Sequence, residues 1–124
     1  MSLNQNGVSS GFSSRNSSLF FLLNRTPDPN KVDQSGWTAL YAAAKWNRKH
    51  VAQTLLERGA DPNVADEEGS TPLHVAARLR HNEMARILLE GGADKTKTDK
   101  KKDTPLSISE RIGYIDIVTI LQDA

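Results

Sequence analysis

The chain has 124 residues, 25% of them charged and 37% hydrophobic, and 16 basic against 15 acidic side chains leave a formal net charge of +1. That length suits one domain rather than two, and so small a net charge excludes a global electrostatic attraction to nucleic acid or to a membrane surface. Cysteine is absent, which excludes a disulfide framework and cysteine-ligated metal and points to a reducing compartment, cytoplasmic or nuclear.

The chain opens on a stretch dominated by Ser, Asn, Gln and Gly, so residues 1–17 are expected to form a disordered tail. Neither a basic start nor an apolar run suited to a signal peptide occurs in it. The run from Leu19 to Leu23 is far too short to span a bilayer. Beyond it, Leu22-Leu23 and Asp28-Pro29-Asn30 anticipate Leu55-Leu56 and Asp61-Pro62-Asn63 one period later. Residues 18–32 therefore read as a partial capping repeat, with a helix over about 18–25.

From residue 33 the sequence is periodic. Asp33, Asp66 and Asp99 are 33 residues apart, as are Thr38, Thr71 and Thr104, Leu40, Leu73 and Leu106, and Leu55, Leu88 and Leu121. A fixed interval of that size marks stacked supersecondary units, here 33–65, 66–98 and a shorter 99–124. In the middle unit Thr71 is a good helix N-cap, and Pro72 takes the first helical position, where its missing N–H costs nothing. Leu73, Ala76 and Ala77 form a short inner face whose alanines allow a neighbouring helix close. A second helix carries Met84, Ile87, Leu88 and Leu89 at helical spacing. Gly92 ends it in the left-handed conformation open to glycine, and a polar connection leads to the next unit. One such pair cannot bury its own apolar face, so neighbours must stack. In the last unit Ser109, Glu110 and Gln122 replace Ala76, Ala77 and Leu89. Polar groups at those places suit the outer face of a C-terminal cap.

Thr71-Pro72-Leu73-His74-Val75-Ala76-Ala77 and Leu88-Leu89-Glu90-Gly91-Gly92-Ala93-Asp94 resemble the two signature segments of the ankyrin repeat family. The resemblance covers residues 33–124. It implies an all-α solenoid of stacked helix-turn-helix units with loops projecting as fingers, so that residues 18–124 form one repeat domain. For His74 it implies a structural role, hydrogen bonding to backbone between repeats, with Tyr41 in the same place one unit earlier. It implies hydroxylation at Asn63, eight residues after Leu55, against the plainer role of an Asn bridging loops.

Chemistry finds little support. His50, His74 and His81 lack partners at catalytic or metal-binding spacing, and no HExxH motif or nucleophile elbow occurs. Gly91-Gly92 followed by Lys95 lacks the remainder of a phosphate loop. No catalytic residue, cofactor or metal is therefore expected. Residues 95–102 hold five lysines against Asp99, a finger suited to nucleic acid or an acidic partner. Glu67 and Glu68 stand one period before Lys100 and Lys101, however, so an acidic fingertip should lie beside the basic one and neutralise it. Lys102 replaces the turn residue Gly69, and a lysine there in the left-handed region would cost about 1–2 kcal/mol, so a different turn is expected.

The functional expectation is a monomeric protein-interaction module. Trp37 and Trp46 are expected as exposed anchors. With Arg78, Leu79, Arg111 and Ile112 they should line a groove, with Ser35, Glu68 and Lys101 at the fingertips. These positions recur with the period yet avoid the cap, alanine and leucine places. The alternative is nucleic-acid binding through residues 95–102.

Overall fold

The computed structural model describes residues 30–32 and 37–124. The tail 1–17, the capping helix over 18–25 and the fingertip residue Ser35 lie outside the described residues. Among the described residues six helices follow in chain order: α1 (Ala39–Lys45), α2 (Lys49–Glu57), α3 (Pro72–Leu79), α4 (Asn82–Glu90), α5 (Pro105–Ile112) and α6 (Ile115–Asp123). Val32 and Thr38 form an antiparallel bridge ahead of α1. The all-α class and the three helix pairs follow the 33-residue period.

Threonine begins each first helix. Thr38, Thr71 and Thr104 are extended and accept with their side chains from the N–H of Tyr41, His74 and Ser107. In α3 and α5 the third helical residue returns the bond, and proline occupies the first turn. These short helices end in left-handed residues, Asn47 at φ 57°, Arg80 at φ 60° and Gly113 at φ 94°.

First helices pack in a row, α1 on α3 on α5, and second helices in a parallel row, α2 on α4 on α6. The core lies between the rows. Ala43, Ala44, Ala76 and Ala77 are completely buried, as are Leu40, Leu73, Met84, Ala85, Leu88 and Ile117. Both rows combine small and large buried residues, which lets them close on the same core. Glycine also serves this packing: a Cβ on Gly91 would come 2.7 Å from the Leu56 side chain of the preceding unit. The polar replacements of the last unit divide in two. Glu110 is exposed, whereas Ser109 is fully buried and its hydroxyl donates to the Leu106 carbonyl at 2.8 Å. Ser109 is thus a satisfied core residue and not part of an outer polar face.

Two fingers have the same turn. The Asp66 carboxylate accepts from the N–H groups of Glu68 and Ser70 at 2.8 and 2.9 Å, and Gly69 N–H donates to the Asp66 carbonyl at 3.0 Å. Asp99 does the same with Lys101 and Asp103, both at 2.9 Å, and Lys102 N–H donates to the Asp99 carbonyl. Lys102 keeps φ at 68° where Gly69 has 81°, so the expectation of a different turn was wrong. The Asp99 bonds hold the lysine in the strained region. Gly69 carries a second constraint, because the next finger lies against it: its Cβ would be 3.0 Å from both Asp99 Cα and Lys100 N.

Two stability outcomes follow. Leu88→Ala should destabilise the chain by about 2–5 kcal/mol, since Leu88 is completely buried between units; a denaturant midpoint close to the parent's would remove it from the shared core. Lys102→Gly should be neutral or stabilising, by up to about 1 kcal/mol, whereas Gly69→Ala should destabilise by more than that. Equal effects at the two positions would show that contact between fingers adds nothing to the φ constraint.

Candidate partner-binding face

The third residue of α1 and of α3 reaches toward the following finger. Tyr41 hydroxyl donates to the Asp66 carboxylate at 2.5 Å. Burial first, and then this anion, push the phenol well above its ordinary range. His74 Nδ1 accepts from the Thr71 N–H at 3.2 Å and lies 2.8 Å from the Thr71 hydroxyl, which assigns the proton to Nε2. Nε2 then donates to the Asp103 carbonyl at 2.8 Å. This is the inter-repeat bond that the resemblance implied. Burial is the main force holding the His74 imidazole below its usual value near 6.5, and Arg78 adds to it; the Asp103 carbonyl and the charges of Asp99 and Asp103 pull the other way. Ser107, the third member of the series, bonds locally to the Thr104 carbonyl and the Asp103 carboxylate.

A row of cations runs beside these contacts. Lys45, Arg78 and Arg111 close the last turns of α1, α3 and α5, one period apart. Each folds back onto the residue eight positions earlier. Lys45 Nζ lies 5.4 Å from the Trp37 ring and 5.9 Å from the Trp46 ring. Arg78 donates to the Ser70 hydroxyl at 3.3 Å. Arg111 grips both oxygens of Asp103 at 3.0 Å, which holds that carboxyl below its ordinary range. The next position along, 46, 79 and 112, is apolar throughout. Leu79 and Ile112 are 43% and 44% exposed, and Ile115 beyond them is 77% exposed.

Of the residues expected to bind a partner, Arg78, Leu79, Arg111 and Ile112 are exposed at the ends of neighbouring, packed helices. Glu68 and Lys101 are exposed and line one polar cleft of about 230 Å³, together with Asp66, Ser70, Arg78 and Asp99. Trp37 and Trp46 differ from expectation: both are half-buried, and Trp37 packs on Tyr41 with ring centroids 4.9 Å apart. Stacking on a neighbour inside the repeat covers surface that sequence alone leaves exposed. Sequence reading missed Lys45 and Asp103 as parts of this face. Their signal was the recurring offset of eight residues that also links Ser70 to Arg78.

The lysine-rich segment is not one patch. Lys95 Nζ donates to the carbonyls of Leu121 and Ala124 at 2.9 and 2.8 Å, at the C-terminal end of α6. Lys100 is tied through its N–H to the Glu68 carbonyl at 3.0 Å, which joins the acidic and basic fingers at their backbones. Asn63 is a loop clip: its Nδ2 donates to the Gly92 carbonyl at 3.3 Å and its Oδ1 accepts from Asp94 N–H at 2.7 Å. Asn30 accepts in the same way from Asp61 N–H at 2.6 Å. His81 Nδ1 lies 2.9 Å from the Ala44 carbonyl, joining the second unit to the first. Among the described residues no group of three or more His, Cys, Asp or Glu could hold a metal ion, and no helix is long and apolar enough to cross a membrane.

A family model described as ankyrin repeats (3 copies) matches residues 11–99 and 59–124. Its first match begins inside the Ser- and Asn-rich segment and includes the residues assigned to the capping repeat. Comparison with curated proteins gave no match.

The His74 geometry has a pH consequence. Above about pH 6.5 the imidazole is neutral both folded and unfolded, and its contribution to stability is complete. Below that value the unfolded chain takes up a proton that the folded site resists, chiefly because the imidazole is buried. Stability should therefore fall between pH 7 and the lowered folded-state pKa. Denaturation midpoints at pH 7.5 and 5.0 should show this fall, and His74→Ser should flatten it whatever its effect at pH 7.5. An unchanged slope in that variant would assign the pH dependence to other groups.

Proposed function

The chain belongs to the ankyrin repeat family, and from that premise we propose that it is a monomeric interaction module whose partner binds the face formed by the ends of α1, α3 and α5 and by the fingertips. Ankyrin repeats mediate protein–protein interaction. The observation that carries the assignment to this face is the row of exposed apolar positions, Leu79 and Ile112, set beside the cations Arg78 and Arg111. Large apolar groups facing solvent beside arginine are the composition of an interface centre. Trp37 and Trp46 continue the row at its α1 end, half-buried and therefore already ordered. Glu68 and Lys101 complete the face at the fingertips. The cysteine-free, nearly neutral chain suits the cytoplasm or nucleus.

Against nucleic acid as the main partner stands the division of the lysines, with Lys95 turned to the end of α6. Hydroxylation of Asn63 would alter the clip between adjacent loops rather than this face.

Arg78→Ala and Leu79→Ser variants test the assignment. Both side chains are exposed, so unfolding free energies should stay within about 0.5 kcal/mol of the parent. Proteins recovered from a native lysate by the parent chain should be lost from both variants, as quantitative mass spectrometry would show. Equal recovery by parent and variants would place the binding surface elsewhere on the molecule.

A further inference from the structure

The three cations of the groove are in different states. Arg111 is neutralised by both oxygens of Asp103. Among the described residues Arg78 makes a single long hydrogen bond, 3.3 Å, to the neutral hydroxyl of Ser70, and its side chain is exposed, so N–H donors of the guanidinium remain for a partner. Lys45 rests on two indole rings, contacts that orient its charge without cancelling it. Of the three, Arg78 and Lys45, in the middle and at one end of the row, thus form no ion pair among the described residues. Next to each cation stands an apolar position, and Leu79 and Ile112 are nearly half exposed.

The acidic groups nearby set a limit on what can approach. Asp66 and Asp99 line the same cleft as Arg78 and are half-buried, with Asp66 bonded to Tyr41 and two backbone N–H groups and Asp99 to two backbone N–H groups. A continuous polyanion laid along the row would meet those charges, and Glu68 with them. A single carboxylate at Arg78 meets them at that one point, paired there with the guanidinium.

We propose that the groove takes an extended protein segment in which acidic side chains alternate with large apolar ones. One carboxylate of that segment pairs two-pronged with the Arg78 fork, a second meets Lys45, and apolar side chains between and beyond them cover Leu79 and Ile112. Arg78 anchors it because a planar guanidinium with free, parallel N–H groups matches a carboxylate in geometry as well as charge. This identity of the partner rests on the proposed binding face.

Panning a random twelve-residue peptide display library on the intact chain tests it. Enriched sequences should combine Asp or Glu with Leu, Phe or Trp. Their affinity should fall about tenfold or more on Arg78→Gln, fall again when Lys45→Gln is added, and weaken as salt rises, with melting unchanged in each variant. Enrichment of apolar peptides that bind Arg78→Gln normally but fail on Leu79→Ser would overturn the acidic partner and leave the face standing. Peptides indifferent to all three substitutions, or no enrichment over an unfolded control, would remove both. Tighter binding of single-stranded RNA than of any selected peptide, lost on Arg78→Gln, would overturn the proposal in favour of nucleic acid.

Discussion

Burial that no unit can complete alone governs this molecule. Each helix pair is amphipathic but too short to enclose its apolar residues, so the leucines and alanines of one unit become inaccessible only when the next is in place. Leu73 and Leu88 are fully buried because the units on both sides supply the remaining walls. The small residues are as necessary as the large ones. Alanines at 43, 44, 76 and 77 and the absent side chain of Gly91 set how closely one unit can approach another, and the larger residues then fill the volume left between them.

Polar contacts make the stacking specific. Apolar burial alone would tolerate some sliding between units, whereas a hydrogen bond from a buried imidazole or phenol to the next finger does not. Tyr41 and His74 both reach from the third position of a first helix, one to a carboxylate and the other to a backbone carbonyl. Asn63 joins the loops on the opposite side, and the Lys100 to Glu68 backbone bond joins the fingers. The stack is thus fastened along several lines with a hydrophobic core between them. The same fastening holds the functional candidates still, for Arg111 takes its position from Asp103, which the His74 bond in turn ties to the preceding unit.

A surface built on such a frame can change its recognition without changing its fold. Positions 45, 78 and 111 lie outside the core, and the row can carry a lysine on indole, an arginine on serine or an arginine on aspartate with the helices unaltered. What a partner on the proposed face would meet is the charge left over after these local pairings. That remainder differs from unit to unit and gives the face a direction.

The sequence by itself determined the repeat, the helix starts and the core. Period, threonine caps and alanine–leucine pattern are local or strictly periodic signals, and each unit's covalent pattern forces the same helix pair wherever it occurs. It also marked Arg78, Leu79, Arg111 and Ile112 as exposed, because residues outside the periodic core places have nowhere to be buried. Only the tertiary structure decided how those residues are used. Trp37 and Trp46 became half-buried through neighbours in space, and Lys95 left its lysine-rich neighbours for the end of α6. Ser109, polar by type, entered the core because its hydroxyl could bond to its own helix. Lys102 kept a glycine-like turn because the Asp99 carboxylate binds the surrounding N–H groups strongly enough to hold it. Each outcome depends on which neighbour a side chain finds in the folded stack, whether near or far along the chain, or on a balance between strain and hydrogen bonding, and neither is written in the spacing of residues along one strand of sequence.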